Sequence, residues 1–118
     1  MNKFIKGFYF AWKGLVYAFR TQINFKVEVI AALFVIALSY NLDLDTTEWL
    51  WICTAIAVVL ITELTNTAIE TLVDLVSPEF NPKAGIIKDI SASVVLIAGL
   101  FALIIAILIL LPKIFHAA

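Results

Sequence analysis

Within the stretch ELTNTAIETLVD, residues 63 to 74, Glu63, Asn66, Glu70 and Asp74 recur at intervals of three and four. On a helix turning ~100° per residue they fall at roughly 0°, −60°, −20° and +20°, so three carboxylates and an amide share one line with Thr67 beside it. Carboxylates in a line repel one another unless a cation lies between them. Hard cations suit such a set, and Mg²⁺ accepts one or two carboxylates together with the phosphates of a substrate. Lys88 and Asp89, at the start of the next apolar stretch, add a phosphate-suited charge and a further acid. Hydrogen bonds between helices would explain Asn66 and Thr67 at ~0.6 kcal/mol each, but they leave three acids unexplained. The familiar soluble designs are missing. The four glycines stand at 7, 14, 85 and 99 and form no phosphate loop, and the one histidine, His116, has no Ser-His-Asp set around it.

The elements that must carry this stripe are apolar. Of the 118 residues 64 % are hydrophobic and 14 % charged, and the mean hydropathy is +1.07, far from an ordinary soluble domain. Ile90 to Leu111 is 22 residues without a charge, enough at ~1.5 Å per residue to cross a ~30 Å hydrocarbon core, and Pro112 is expected to close it. Val29 to Leu42 and Trp49 to Thr62 hold 14 uncharged residues each and must extend into polar flanks to span. The expected fold is therefore all-α and integral to the membrane, with spans over about 26–43, 48–76 and 83–112. The single Cys53 has no partner for an internal disulfide, and no cleaved signal peptide is expected in MNKFIKGFYFAWKGL.

Charge sets the orientation. Seven of the eight Lys and Arg lie before the first span or between the second and third, while the first connection, NLDLDTTEWL, has three acids and no base. The N-terminus and the 77–88 loop should thus be cytoplasmic, with Trp49 and Trp51 at the opposite interface. Counted from Trp49, the ~30 Å core ends near residue 69, which puts Glu70 and Asp74 at the cytoplasmic headgroups and Glu63 about 9 Å deeper. A charge at such depth is costly and is normally functional or paired.

Residues 3–20 form a surface helix by pattern. Phe4, Ile5, Phe8, Trp12, Leu15, Val16 and Phe19 fall in an arc of about 120°, with Lys6, Lys13 and Arg20 on the other side. Phe10 and Tyr17 share the basic face, where they either pack against protein or stack on a nucleotide base. Asn81 followed by Pro82 reads as the cap and first position of the third span.

At these residues the chain resembles the small prokaryotic diacylglycerol kinases, a family that includes undecaprenol kinases. The resemblance rests on AWKGL in the surface helix, ELTNTAIETLVDLVSPEFNP across the second span and loop, and KDISASVVLIAGL in the third. It implies one membrane-embedded lipid kinase domain over residues 1–118, in a homotrimeric bundle whose sites are shared between neighbouring protomers. It implies ATP as phosphoryl donor, Mg²⁺ as cofactor, and a membrane lipid alcohol as acceptor, in the bacterial inner membrane and without nucleic acid as a partner. By resemblance Glu63 is the general base, Glu70 and Gln22 bind the metal, and Lys88, Asp89, Asn66, Asp74 and Lys6 surround the nucleotide and its phosphates. In the loop, PEFNP has Phe80 and Asn81 where the family frequently has a Tyr and a His, and Phe80 is a candidate for stacking on the adenine. Gln22 is a departure, because the family often has an acid there, in a pattern like T-E-x-N, where this chain reads RTQINFKVE. An amide oxygen ligates Mg²⁺ more weakly than a carboxylate, and Glu28 compensates only if the helix geometry brings it in. Undecaprenol is slightly favoured over diacylglycerol because the loop's SPEF-P is nearer the undecaprenol kinase branch. A small proton-coupled exporter, with Glu63 as its cation site, is the alternative from another class. The acids at one interface and the phosphate-suited Lys88 argue against it.

Overall fold

The computed structural model describes residues 2–117 and, among them, holds four helices and no strand: α1 (Lys3–Thr21), α2 (Ile23–Asn41), α3 (Thr46–Val76) and α4 (Pro82–Ala117). Three of them, α2, α3 and α4, are long and apolar enough to cross a bilayer. Their large apolar side chains face outward, with Leu33, Phe34 and Leu108 62 %, 69 % and 68 % exposed. In water that surface would be untenable; in lipid it is the expected one. The protein is an all-α membrane protein with a surface helix and three spans.

Each helix begins and ends for a local reason. The Asn2 side chain accepts a hydrogen bond from the Ile5 amide at 2.9 Å and so caps α1. Gln22 alone separates α1 from α2, in an extended conformation at φ −110° and ψ 109°. Because one residue suffices for the bend, α2 starts at Ile23, ahead of the 26 expected. Asp43 takes the left-handed conformation, φ 58°, in the turn between α2 and α3, as short polar side chains tolerate. Asp45 and Glu48 then form a reciprocal capping box: Asp45 Oδ1 accepts from the Glu48 amide at 2.8 Å and Glu48 Oε1 from the Asp45 amide at 3.1 Å. At the loop between α3 and α4, Asn81 Oδ1 accepts from the Lys83 amide at 2.9 Å and opens α4 at Pro82.

The third span differs from expectation at its far end, because Pro112 lies inside α4 and the helix runs on to Ala117. Proline costs a helix one hydrogen bond and strains the turn before it. Here the next residue holds the turn in place. Lys113 Nζ lies 3.2 Å from Glu48 Oε1 and reaches the Asp43 carbonyl at 3.5 Å. Beneath this clasp, buried Leu44, Ile52 and Leu110 form an apolar cluster against which Trp49 packs. The long α3–α4 hairpin is the main packing unit, with α2 against α3 and α1 against α2.

Candidate functional site

Because α3 is one unbroken helix from Thr46 to Val76, the 63–66–70–74 spacing holds its line in three dimensions. Glu63 is 2 % exposed, and Asn66 and Thr67 are 8 % and 7 % exposed. Glu70 is half-buried one turn nearer the loop, and Asp74 is exposed a further turn on. Asn66 Nδ2 donates to Glu70 Oε1 at 3.0 Å, which fixes the amide's orientation. Its own Oδ1, and the Thr67 hydroxyl beside it, are buried without a partner. Orphaned polar atoms in a buried site cost stability, so they mark places where something else is expected to bind.

The stripe divides in two. Glu63, Asn66 and Glu70 form a buried part, with Glu63 and Glu70 near enough for their charges to interact. From α2, half-buried Glu28 turns toward the same place and feels the charge of Glu63, with one carboxylate oxygen, Oε2, buried and unpartnered. Asp74 belongs to the second, exposed part. Its Oδ1 lies 2.5 Å from Nζ of Lys88, in the second turn of α4.

The remaining candidates are spread more widely. Gln22 is half-buried at the α1–α2 bend, where its Nε2 donates to Thr21 Oγ1 at 3.3 Å. Lys6 and Asp89 are exposed, and Phe80 is 94 % exposed at the loop tip. None of these four has a hydrogen bond or ion pair to the stripe within this chain. On α1, Lys13 lies over the rings of Tyr9 and Phe10, at 5.5 and 5.8 Å from their centroids, and Phe10 is exposed. Glu28 has only a conditional role in the sequence reading, where its signal is a lone acid two residues after Lys26 at the start of an apolar run.

Among the described residues no three His, Cys, Asp or Glu side chains converge as a self-sufficient metal cage. The donor set nevertheless fits Mg²⁺ shared with phosphates. Glu70 supplies a carboxylate, the orphaned Asn66 Oδ1 a carbonyl, and such a cation takes its other ligands from phosphate and water. Acid groups at graded depth beside a lysine can accept a proton from a hydroxyl in the lipid and face a polyphosphate in the cytoplasm.

Comparison with known proteins agrees. The model of the family described as prokaryotic diacylglycerol kinase matches residues 9–110. The undecaprenol kinase of Bacillus subtilis (strain 168) is 36 % identical over 113 residues, which is 96 % of this chain and 92 % of that protein. The diacylglycerol kinase of Synechocystis is 38 % identical over 106 residues, 89 % of this chain and 61 % of that protein. The diacylglycerol kinase of Escherichia coli (strain K12) is 32 % identical over 103 residues, 87 % and 84 % of the two chains.

Proposed function

The chain belongs to the prokaryotic diacylglycerol kinase family and is a lipid kinase, and from that premise we propose that it phosphorylates undecaprenol with ATP and Mg²⁺ at the cytoplasmic face of the bacterial inner membrane. The observation that carries the chemistry is the burial of Glu63, 2 % exposed, one turn from the Asn66–Glu70 hydrogen bond. A carboxylate there meets a hydroxyl that never leaves the headgroup plane. The lipid oxygen attacks the γ-phosphorus of ATP, its proton passes to a Glu63 carboxylate oxygen, the bond from the γ-phosphorus to the β–γ bridging oxygen breaks, and ADP departs. Glu70 and the Asn66 carbonyl would hold Mg²⁺, which would supply neutralisation of phosphate charge. Lys88 binds phosphate, with Asp89, Lys6 and Phe80 at the nucleotide's periphery. Most of the acceleration comes from positioning and charge stabilisation, and the general base adds about 10²–10⁴-fold.

Two features favour a homotrimer with shared sites, its N-termini in the cytoplasm. One chain alone leaves Asn66 Oδ1, Thr67 Oγ1 and Glu28 Oε2 buried and unpartnered, and brings neither Gln22 nor Lys6 to the stripe. Neighbouring protomers supply what the single chain lacks. The basic residues of α1 and of the 77–88 loop support the orientation. For the acceptor, the support is the SPEF-P loop and a match spanning 92 % of the undecaprenol kinase.

The test is phosphate transfer from labelled ATP by purified protein in micelles, with undecaprenol and diacylglycerol offered separately. Transfer to undecaprenol should exceed transfer to diacylglycerol by about ten-fold, a difference of ~1.4 kcal/mol in the barrier. Preference for diacylglycerol would reverse the acceptor and keep the reaction.

A further inference from the structure

We propose that Asp74 is a positioning residue that acts through Lys88, and that it holds neither the metal nor the nucleotide itself. The inference rests on the reading of Lys88 as the phosphate-binding cation. Asp74 and Glu70 lie one turn apart on the same line, and helical spacing alone does not distinguish them. Their surroundings make them different. Glu70 is half-buried and accepts from Asn66 Nδ2 at 3.0 Å, on the same amide whose Oδ1 is buried without a partner. Asp74 has 66 % of its side chain exposed and has Lys88 Nζ on its Oδ1. A Mg²⁺ ion placed on that carboxylate would sit against an ammonium group. Repulsion disfavours it.

Lys88 needs such a partner. A lysine at the headgroup level has a long flexible stem and strong alternatives, since lipid phosphates draw it outward. Left free, it would lose the entropy of several rotatable bonds each time it met a nucleotide. Its ammonium carries three donors, so one bond to Asp74 leaves two for phosphate oxygens. The two residues are separated by 14 positions and by the 77–81 loop, so the contact exists only when α3 and α4 pack in this register. Lys83, the other lysine of this loop and helix start, cannot take over. Five residues back it points about 140° away around the helix, where it borders an apolar groove on another side of the hairpin.

The experiment is a double-mutant cycle on the full-length enzyme in micelles, read as the KM for ATP, the kcat and the Mg²⁺ concentration for half activity at saturating ATP. Lys88→Met should raise the KM for ATP about ten-fold or more, as loss of a charge-assisted phosphate contact does. Asp74→Asn should raise it about five-fold with kcat and the Mg²⁺ requirement unchanged, a size in keeping with a partly exposed ion pair. In the Lys88→Met background, Asp74→Asn should add nothing, because the two act as one unit. Asp74→Glu should restore most of the affinity, and Lys83→Met should match wild type. Additive effects in the double variant, or a shifted Mg²⁺ requirement, would make Asp74 a direct ligand and overturn the proposal while leaving Lys88 in place. A lower KM in Asp74→Asn would overturn it too, since the contact would then restrain Lys88 from phosphate. An unchanged KM in Lys88→Met would remove the underlying reading of Lys88 and the proposal together.

Discussion

The α3–α4 hairpin is closed at both ends by a lysine and an acid, and the two closures are built differently. At the outer end Lys113 meets Glu48, with 30 % and 25 % of their side chains exposed. At the inner end Lys88 meets Asp74, with 38 % and 66 % exposed. Glu48 and Asp74 are about 39 Å apart along α3 at ~1.5 Å per residue, so the pairs bracket a ~30 Å hydrocarbon core. The outer acid serves twice, because Glu48 Oε1 also accepts the Asp45 amide in the capping box, and the Leu44–Ile52–Leu110 cluster lies just beneath. There Lys113, Glu48 and Asp45 have found partners within the chain. Among the described residues, the Ser39 hydroxyl in the last turn of α2 is the one buried polar atom of that end without one. Toward the inner end three such atoms, Asn66 Oδ1, Thr67 Oγ1 and Glu28 Oε2, are buried without a partner. One end is mostly satisfied within the fold. The other gathers the unpartnered groups to which the reaction is proposed to belong.

The largest effect is expected from a variant that removes activity without touching the fold. Glu63→Gln takes away the proposed base, and kcat should fall about 10²–10⁴-fold. Because a neutral amide is less costly to bury than a carboxylate, thermal stability should be equal or higher. Nucleotide binding, followed by a fluorescent ATP analogue, should persist. A variant that loses stability and nucleotide binding along with turnover would assign Glu63 to the fold and void the contrast.

Next in size is Glu70→Gln. Weakening the carboxylate that Asn66 holds should raise the Mg²⁺ needed for half activity about ten-fold, while the melting temperature stays close to wild type. An unchanged Mg²⁺ titration would take Glu70 out of the metal's coordination.

The outer end gives the mirror image. Lys113→Met leaves Glu48 without its cation and frees the turn after Pro112, so the protein should melt several degrees lower, in keeping with a loss of about 1 kcal/mol. The KM for ATP and the Mg²⁺ requirement should not move. If the KM rose as well, α4 would be transmitting the outer contact to Lys88, and the two ends would not be independent.

How much of this is legible in the residues depends on the range of the interaction. The stripe on α3 is a matter of period alone, and α3 runs on to Val76 as expected because no breaker precedes Ser77-Pro78. The Asn81–Pro82 start of α4 is equally local. Pro112 misleads because what carries the helix past it, the Lys113–Glu48 pair, joins residues 65 positions apart. Asp74 and Lys88 are both visible as site candidates, yet their pairing depends on the register of a hairpin that composition does not encode. Glu28 is a similar case, since its approach to Glu63 is decided by how α2 packs on α3. Period is written in the chain; register is not.

The smallest effect tests the least finished part of the inner end. Gln22 sits at the α1–α2 bend with its amide nitrogen on Thr21 Oγ1, which orients the side chain but leaves it without a contact to Glu70 inside one chain. If a neighbouring protomer completes the site, Gln22 reaches the metal as an amide oxygen, a weaker ligand than a carboxylate. Gln22→Glu should then lower the Mg²⁺ needed for half activity roughly two- to five-fold, with kcat little changed, since the gain lies in cation affinity. The bend itself should tolerate the substitution, because its extended backbone uses no side-chain cap at the start of α2. A mixed oligomer sharpens the result, with protomers carrying Glu63→Gln in excess over protomers carrying Gln22→Glu. The Mg²⁺ requirement should return to the wild-type value if residue 22 of one chain serves the base of another, because each intact Glu63 then meets a neighbour's Gln22. It should stay lowered if both residues act within one chain. A requirement that stays at the wild-type value in the homogeneous Gln22→Glu protein would place residue 22 outside the metal's reach and leave Glu70 and Asn66 as the proposed protein ligands.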